Sequence, residues 1–181
     1  MKYLIASDLH GSATYTEQLL AAYDREQADR LLLLGDVLYH GPRNDLPDGY
    51  APKRVAELLN ARRGEILSVR GNCEAEVDQM MLNFPVLADY CLLAEGEKTI
   101  FLTHGHVFNR DNLPPLKPGD VLLYGHTHVP LSETVAGIVC MNPGSVSIPK
   151  EGSPRGYMTL EGGVFRWKTL SGEEYRTFVL D

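Results

Sequence analysis

Five times in this chain a short apolar run ends at Asp, Asn or His, with glycine adjoining. Leu4-Ile5-Ala6 runs into Ser7-Asp8-Leu9-His10-Gly11, and Leu31-Leu32-Leu33-Leu34 into Gly35-Asp36. Ile66-Leu67-Ser68-Val69 passes through Arg70 into Gly71-Asn72. Ile100-Phe101-Leu102 runs into Thr103-His104-Gly105, and Val121-Leu122-Leu123-Tyr124 into Gly125-His126-Thr127-His128. Continuous apolar runs of this length read as buried strands. Open α/β sheets bind their ligands at the carboxyl ends of the strands. The pattern therefore predicts that Asp8, His10, Asp36, Asn72, His104, His126 and His128 meet at one edge of one sheet. Gathering seven metal-capable side chains serves catalysis far better than stability.

The rest of the chain fits that frame. Strands are expected over 2–7, 30–35 and 65–70. Between and after them come an amphipathic helix over 14–25, with Leu19, Leu20, Ala22 and Tyr23 on one face, a helix opening at Pro52 with Val55, Leu58 and Leu59 inward, and a helix from about 75 to 83. A loop rich in Gly, Pro, Asn and Asp covers 39–51. This βαβαβα order implies a largely parallel sheet. The second half changes character. Residues 89–94 and 98–103 read as a hairpin around Glu95-Gly96-Glu97, and a strand over 120–124 leads into Gly125-His126. Further strands are expected over 132–141, 156–161, 164–170 and 174–180, with Gly162-Gly163 as a hairpin turn. The expected fold is an α/β four-layer αββα sandwich, two mixed sheets flanked by helices, in one domain over residues 1–181.

Charge and cysteine usage narrow the function classes. Lys and Arg number 17 against 24 Asp and Glu, a net charge of −7. No basic field holds nucleic acid nonspecifically. No apolar run is long enough to span a bilayer, and the N-terminus enters a strand without a signal-peptide pattern. Cys73, Cys91 and Cys140 are three, far apart and without a CxxC spacing, which suits reduced thiols in a cytoplasm.

Taken singly, each member of the cluster has an ordinary explanation. Asp36 and Asn72 suit turns, and His104 suits a satisfied strand end. Asp8 with His10, and His126 with His128, are two apart and fall on one side of an extended backbone. Imidazole, carboxylate and amide oxygen suit Mn²⁺, Fe²⁺ or Zn²⁺, and Mg²⁺ less well. Seven donors exceed one tetrahedral site. Two metals sharing a bridging carboxylate would use them all, with Asp36 the better bridge.

In this order, Asp8-x-His10, Gly35-Asp36, Gly71-Asn72, His104 and Gly125-His126-x-His128 resemble the calcineurin-like metallophosphoesterases, and most nearly the small bacterial and archaeal phosphodiesterases of the YfcE type. Asp36-Val37-Leu38-Tyr39-His40-Gly41-Pro42-Arg43-Asn44, Arg70-Gly71-Asn72-Cys73-Glu74, Leu102-Thr103-His104-Gly105-His106 and Asn142-Pro143-Gly144-Ser145 carry the likeness over nearly the whole chain. The resemblance implies two divalent ions, manganese foremost, with zinc, iron(II) or nickel as alternatives. Asp8, His10 and His128 would hold one ion and Asn72, His104 and His126 the other, with Asp36 between them. A hydroxide bridging the ions would attack a small phosphodiester in line, with Asp36, Asn72 and His104 serving the reaction.

One position departs from the wider family. Many members carry His directly after the ligand Asn, and here Cys73 stands there. A thiol donates a hydrogen bond poorly compared with imidazolium. That predicts diester rather than monoester hydrolysis and a preference for activated leaving groups. Cys73 itself reads as a small inert filler ahead of a catalytic thiol. His106 is a further candidate, either supporting the ligands or contacting phosphate. Arg43 suits phosphate recognition or a plain surface position. Asn142-Pro143-Gly144 reads as a structural turn, with Ser145 a less favoured hydrogen-bonding neighbour of the ligands. Two other function classes share the pattern: a non-catalytic protein-interaction scaffold of this fold, as in the retromer subunit Vps29, and a nuclease, which the acidic charge disfavours. Apolar strands and aromatics near the C-terminus permit a homo-oligomer.

Overall fold

The computed structural model describes residues 1–180. The elements run β1 (Lys2–Ala6), α1 (Ala13–Glu26), β2 (Arg30–Leu33), α2 (Pro52–Asn60), β3 (Ile66–Ser68), α3 (Glu76–Met81), β4 (Tyr90–Glu95), β5 (Lys98–Thr103), β6 (Val121–Leu123), β7 (Leu131–Val135), β8 (Ile138–Asn142), β9 (Gly156–Glu161), β10 (Val164–Thr169) and β11 (Glu174–Val179). They form two mixed sheets. The first has the order β11-β10-β9-β1-β2-β3, parallel from β1 to β3; the second has the order β4-β5-β6-β8-β7, with β5, β6 and β8 parallel.

Strand alternation sorts the leucines of β2 and the residue after it onto two cores. Leu31 and Leu33 pack with Leu19, Leu20, Val55 and Leu59 under the helices. Leu32 and Leu34 face the other way, against Ile100, Leu102, Val121, Leu123 and Met141 of the second sheet. A strand buried on both faces must be apolar at every position, which is why the run reads as continuous leucine. Trp167 seals the inter-sheet core, fully buried, its indole N–H donating to the Asn142 carbonyl at 2.7 Å. Burying each such side chain contributes about 1.5–3 kcal/mol. The outer face of the second sheet carries Phe101, Leu122, Tyr124, Ile138 and Cys140. Its cover includes Phe108, Leu113 and Leu116 from the irregular 104–120 segment, so the fourth layer here is loop rather than helix.

Two local expectations change. The strand expected over 132–141 is a hairpin, β7 and β8, turning at Ala136 and Gly137 with φ of 50° and 83°. Alanine rarely adopts positive φ, so nothing in Ala-Gly announces the turn. The candidate residues also do not come from one sheet edge. Asp8, His10, Asp36 and Asn72 follow β1, β2 and β3, whereas His104, His126 and His128 follow β5 and β6. The β4–β5 hairpin breaks the βαβ rhythm and starts a new sheet. The two sheets stack face to face and bring their carboxyl edges together on one side.

Candidate metal centre

Backbone pairing continues past the strand ends and ties the loops into one cradle. The N–H groups of Asp8, His10 and Gly11 donate to the carbonyls of Gly35, Asp36 and Val37 at 3.2, 2.9 and 2.9 Å, and that of Gly125 to His104 at 2.8 Å. The His126 N–H donates to Asp8 Oδ2 at 3.0 Å and so links the two sheets. Asp8, His10, Asp36, His126 and His128 all sit in the left-handed backbone region, with φ between 47° and 66°. Each such non-glycine residue costs roughly 1–2 kcal/mol. Strain of this kind gathers at functional sites. Asp8 and His10 thus reach one side by a left-handed turn, not by extending β1 as their spacing suggested.

The protons in this cradle can be located. Nδ1 of His10, His104 and His128 stands 2.8, 2.6 and 2.8 Å from the carbonyls of Tyr39, Leu34 and Ile148. A carbonyl only accepts, so each Nδ1 carries the hydrogen and each neutral ring presents a bare Nε2. Those lone pairs converge. His10 Nε2 and His128 Nε2 are 3.2 Å apart, and both approach Asp8 Oδ1, at 3.5 and 3.1 Å. Asp8 Oδ1 is buried with no hydrogen-bond partner. His104 Nε2 lies 3.1 Å from Asn72 Oδ1 and 3.3 Å from His126 Nδ1. Asp36 Oδ2 lies between the two groups, 3.7 Å from His10 Nε2 and 3.3 Å from His104 Nε2. Acceptors packed this closely call for positive charge between them, a proton or a metal ion. Two divalent ions fit this donor set of imidazole, carboxylate and amide oxygen.

The titration behaviour follows from that crowding. Burial alone would raise the carboxyl of Asp8, but the imidazoles of His10, His128 and His104 hold it well below its ordinary range. Burial alone would lower His104, but its hydrogen bond to Asp36 and the charges of Asp8 and Asp36 raise it to about 9. Burial and the neighbouring His104 push His126 down to about 4. In the metal-free protein a proton on His104 takes the place of a cation. Its stabilisation is full below about pH 6.5 and is lost as pH rises through about 9. A metal must displace that proton. We expect Mn²⁺ added to metal-free protein at pH 7.5 to release close to one proton at this imidazole, and its apparent affinity to rise with pH up to about 9. Calorimetry in two buffers of different ionisation enthalpy checks this. Proton-free, pH-independent binding would contradict it.

The contacts of the supporting residues go beyond what the sequence assigns. The buried Glu74 carboxylate accepts from the N–H groups of Asp36 at 2.9 Å, Val37 at 2.7 Å and Gly71 at 2.5 Å. Its place in the Arg70–Glu74 motif was visible, but its function as a backbone clamp was not. Ser145 and Ser147 both donate to the Asp8 carbonyl, at 2.8 and 3.0 Å. Asn142 donates to the Gly125 carbonyl at 2.6 Å and accepts from Gly144 N–H at 2.8 Å, so its turn also supports the His126 loop. Gly71 and Gly125 are required by close approach: a Cβ there would lie 2.7 Å from Glu74 Oε2 or 2.7 Å from Asp8 Oδ2, respectively.

The remaining candidates ring the centre. The Cys73 N–H donates to Asp36 Oδ1 at 2.9 Å, and its half-buried thiol receives Asn72 Nδ2 at 3.3 Å. That contact turns Asn72 Oδ1 inward. His106 is exposed beyond the end of β5, its ring 5.5 Å from that of His104. Arg43 and Lys150 line the mouth of a cleft of about 390 Å³ over Asp36, Asn72, His126 and His128.

Residues 1–162 match the calcineurin-like phosphoesterase superfamily domain. The chain is 51% identical over 164 residues to the phosphodiesterase YfcE of Escherichia coli K12, covering 91% of this chain and 89% of that one. It superposes on the solved structure of Yfce, a phosphoesterase from E. coli, with a TM-score of 0.96 and 46% identity over the whole of both chains. Wild-type Vps29 complexed with Zn²⁺ from Entamoeba histolytica, at 19% identity, a TM-score of 0.61 and full coverage of both chains, shares the fold alone.

Proposed function

The chain belongs to the calcineurin-like phosphoesterase superfamily, and on that footing we propose that it hydrolyses small phosphodiesters with two divalent metal ions, manganese foremost. One observation carries the reading. Imidazole nitrogens and carboxylate oxygens of Asp8, His10, Asp36, His104 and His128 crowd together, and in the metal-free protein a proton on His104 stands where a cation would. Asp8, His10 and His128 would hold one ion, Asn72, His104 and His126 the other, and Asp36 both.

Such ions, when bound, supply a hydroxide nucleophile near neutral pH and offset charge on the phosphoryl oxygens. The protein's own residues do the rest. The carbonyls of Tyr39, Leu34 and Ile148 fix three imidazoles in the tautomer that frees Nε2. Hydrogen-bonded supports of this kind orient ligands and raise their basicity. Arg43 and Lys150 at the cleft mouth supply positive charge to a phosphate group in an otherwise acidic protein. Burial, with the charges of Asp36 and Glu74, pushes the Cys73 thiol up in the metal-free protein. A neutral thiol of that kind protonates no alkoxide well. Diesters with good leaving groups are therefore the favoured class.

Elemental analysis with rate measurements on matched aryl diesters and monoesters tests the proposal. Two ions per chain and faster diester cleavage are expected. A metal-free preparation that stays inactive after metal is added would overturn it. In the same assay we expect Cys73→Ala to retain most aryl-diester turnover, well short of the roughly 10²–10⁴-fold loss that follows removal of a general acid. A loss of that size with metals still bound would make the thiol catalytic. Among the described residues no helix is long and apolar enough to cross a membrane.

A further inference from the structure

A second cleft lies on the other side of Cys73. Its volume is about 400 Å³, within the size of small-molecule sites, and Leu38, Tyr39, Tyr50, Val77 and Met81 line it together with Cys73. Its lining is mostly apolar, Lys53 and Asp78 being its charged members, whereas Arg43, Asn44, Thr127 and Lys150 line the cleft over the candidate metal centre. We propose that this apolar cleft is a subsite for an aromatic substituent of the phosphoester, on the arm that stays with phosphorus. The inference deepens the phosphodiesterase reading and rests on it.

Three observations support it. The first is continuity. Cys73 Sγ lies within 4.8 Å of a His10 nitrogen and an Asp36 carboxylate oxygen while lining the apolar cleft. A single small side chain thus separates the reacting centre from the cleft. Tyr39 spans the same boundary: its carbonyl accepts from His10 Nδ1 and its side chain borders the cleft.

The second is exposure. Val77 is 61% exposed, Met81 42% and Tyr39 42%. Apolar side chains left in water around a concave surface mark a binding groove.

The third is shape. Tyr39, His40 and Tyr50 form a chain of edge-on rings, with centroids 4.7 and 5.3 Å apart and interplanar angles of 68° and 84°. That array fixes two phenol rings at the cleft, and aromatic faces favour a flat ring as partner. A substrate fitting both sides of Cys73 carries its phosphate over the metal ligands, an aromatic ring in the apolar cleft and a polar group toward Arg43 and Lys150.

The test must separate recognition of the staying arm from reactivity of the leaving group. We would hold p-nitrophenol constant as leaving group and compare benzyl with ethyl as the second ester, in manganese-supplemented protein. In parallel, calorimetry would measure binding of benzylphosphonate against ethylphosphonate. The benzyl arm is expected to raise kcat/KM roughly ten- to a hundredfold, the worth of burying one aromatic side chain, and benzylphosphonate to bind at least about tenfold more tightly. Val77→Glu places an acid in the first turn of α3, where a helix accepts it, and Met81→Gln is a second exposed change. Each should bring both benzyl-to-ethyl ratios down to within about threefold of one, well under the gain expected from the buried ring.

Equal rates and equal binding for the two arms in the unaltered protein would overturn the subsite, as would ratios that neither substitution moves. Hydrolysis without arm preference would sink the subsite and leave the phosphodiesterase reading standing. Selective phosphonate binding without hydrolysis of any diester would do the reverse.

Discussion

Asp36→Asn is expected to leave a folded protein with at least roughly 10³-fold lower kcat/KM on an aryl diester, the equivalent of several kcal/mol of charge stabilisation. The substitution is mild everywhere except in charge. Asn is among the few residues that tolerate the left-handed backbone Asp36 adopts, at φ 55°. Its carbonyl oxygen can still accept from Cys73 N–H, as Asp36 Oδ1 does at 2.9 Å. What disappears is the negative oxygen that faces both His10 Nε2 and His104 Nε2. With Asp8 as the only carboxylate left in the ligand set, two dications would lack adequate charge compensation. The metal content should fall below two ions per chain while the thermal melt stays close to that of the parent. Full turnover in this variant with metal added back would rule out Asp36 as the shared ligand. A collapsed melt would point to a structural cause instead, and Asp36→Glu with its charge retained would then be the comparison to make.

Much of this site was legible because strand ends constrain chemistry. An apolar run long enough to be a buried strand must end where the chain leaves the sheet, and the polar residue beyond it must lie at the sheet's edge. That logic singles out Asp8, His10, Asp36, Asn72, His104, His126 and His128 as candidates without reference to any long-range contact. It erred over one sheet edge because the choice of partner strands is not written in local pattern: the registers Leu102 with Leu123 and Leu33 with Ser68 belong to different sheets. Turn chemistry had the same limit. Gly162-Gly163 declared its hairpin, while Ala136-Gly137 hid one, since both turns use positive φ but only glycine signals it. The left-handed backbones at five of the candidate ligands were illegible for a related reason. Asp and His enter that region more often than most side chains but still seldom, so their presence alone does not announce it. The supporting shell was the least visible. Nothing in the sequence around Glu74 or Ser145 says which backbone groups their oxygens will meet.

Glu74 gives the sharpest test of that hidden shell. Its two carboxylate oxygens take the N–H groups of Asp36, Val37 and Gly71, which belong to the loops following β2 and β3. Both loops carry candidate ligands, Asp36 and Asn72, so one side chain sets their separation. Burial and then the charge of Asp36 raise the Glu74 carboxyl above its ordinary value, while the three N–H groups oppose that rise. Removing the side chain in Glu74→Ala leaves three donors facing a cavity. Each unsatisfied buried donor costs about 1–3 kcal/mol, and water entering the space recovers part of it. A net loss of about 3 kcal/mol is the expected result in chemical denaturation. Activity should fall further than stability alone explains. A displacement near 1 Å in a positioning group can cost about 10²-fold, and Asp36 is positioned through its own N–H. The assay belongs at a temperature and manganese concentration where circular dichroism shows the variant fully folded. Glu74→Gln separates the two effects. It keeps the volume but offers one acceptor oxygen where two are used, so its amide NH₂ must oppose at least one backbone N–H. That variant should melt between the parent and Glu74→Ala and still lose most of its turnover. Parental activity and parental stability in Glu74→Gln would mean that the clamp does not hold Asp36 in place.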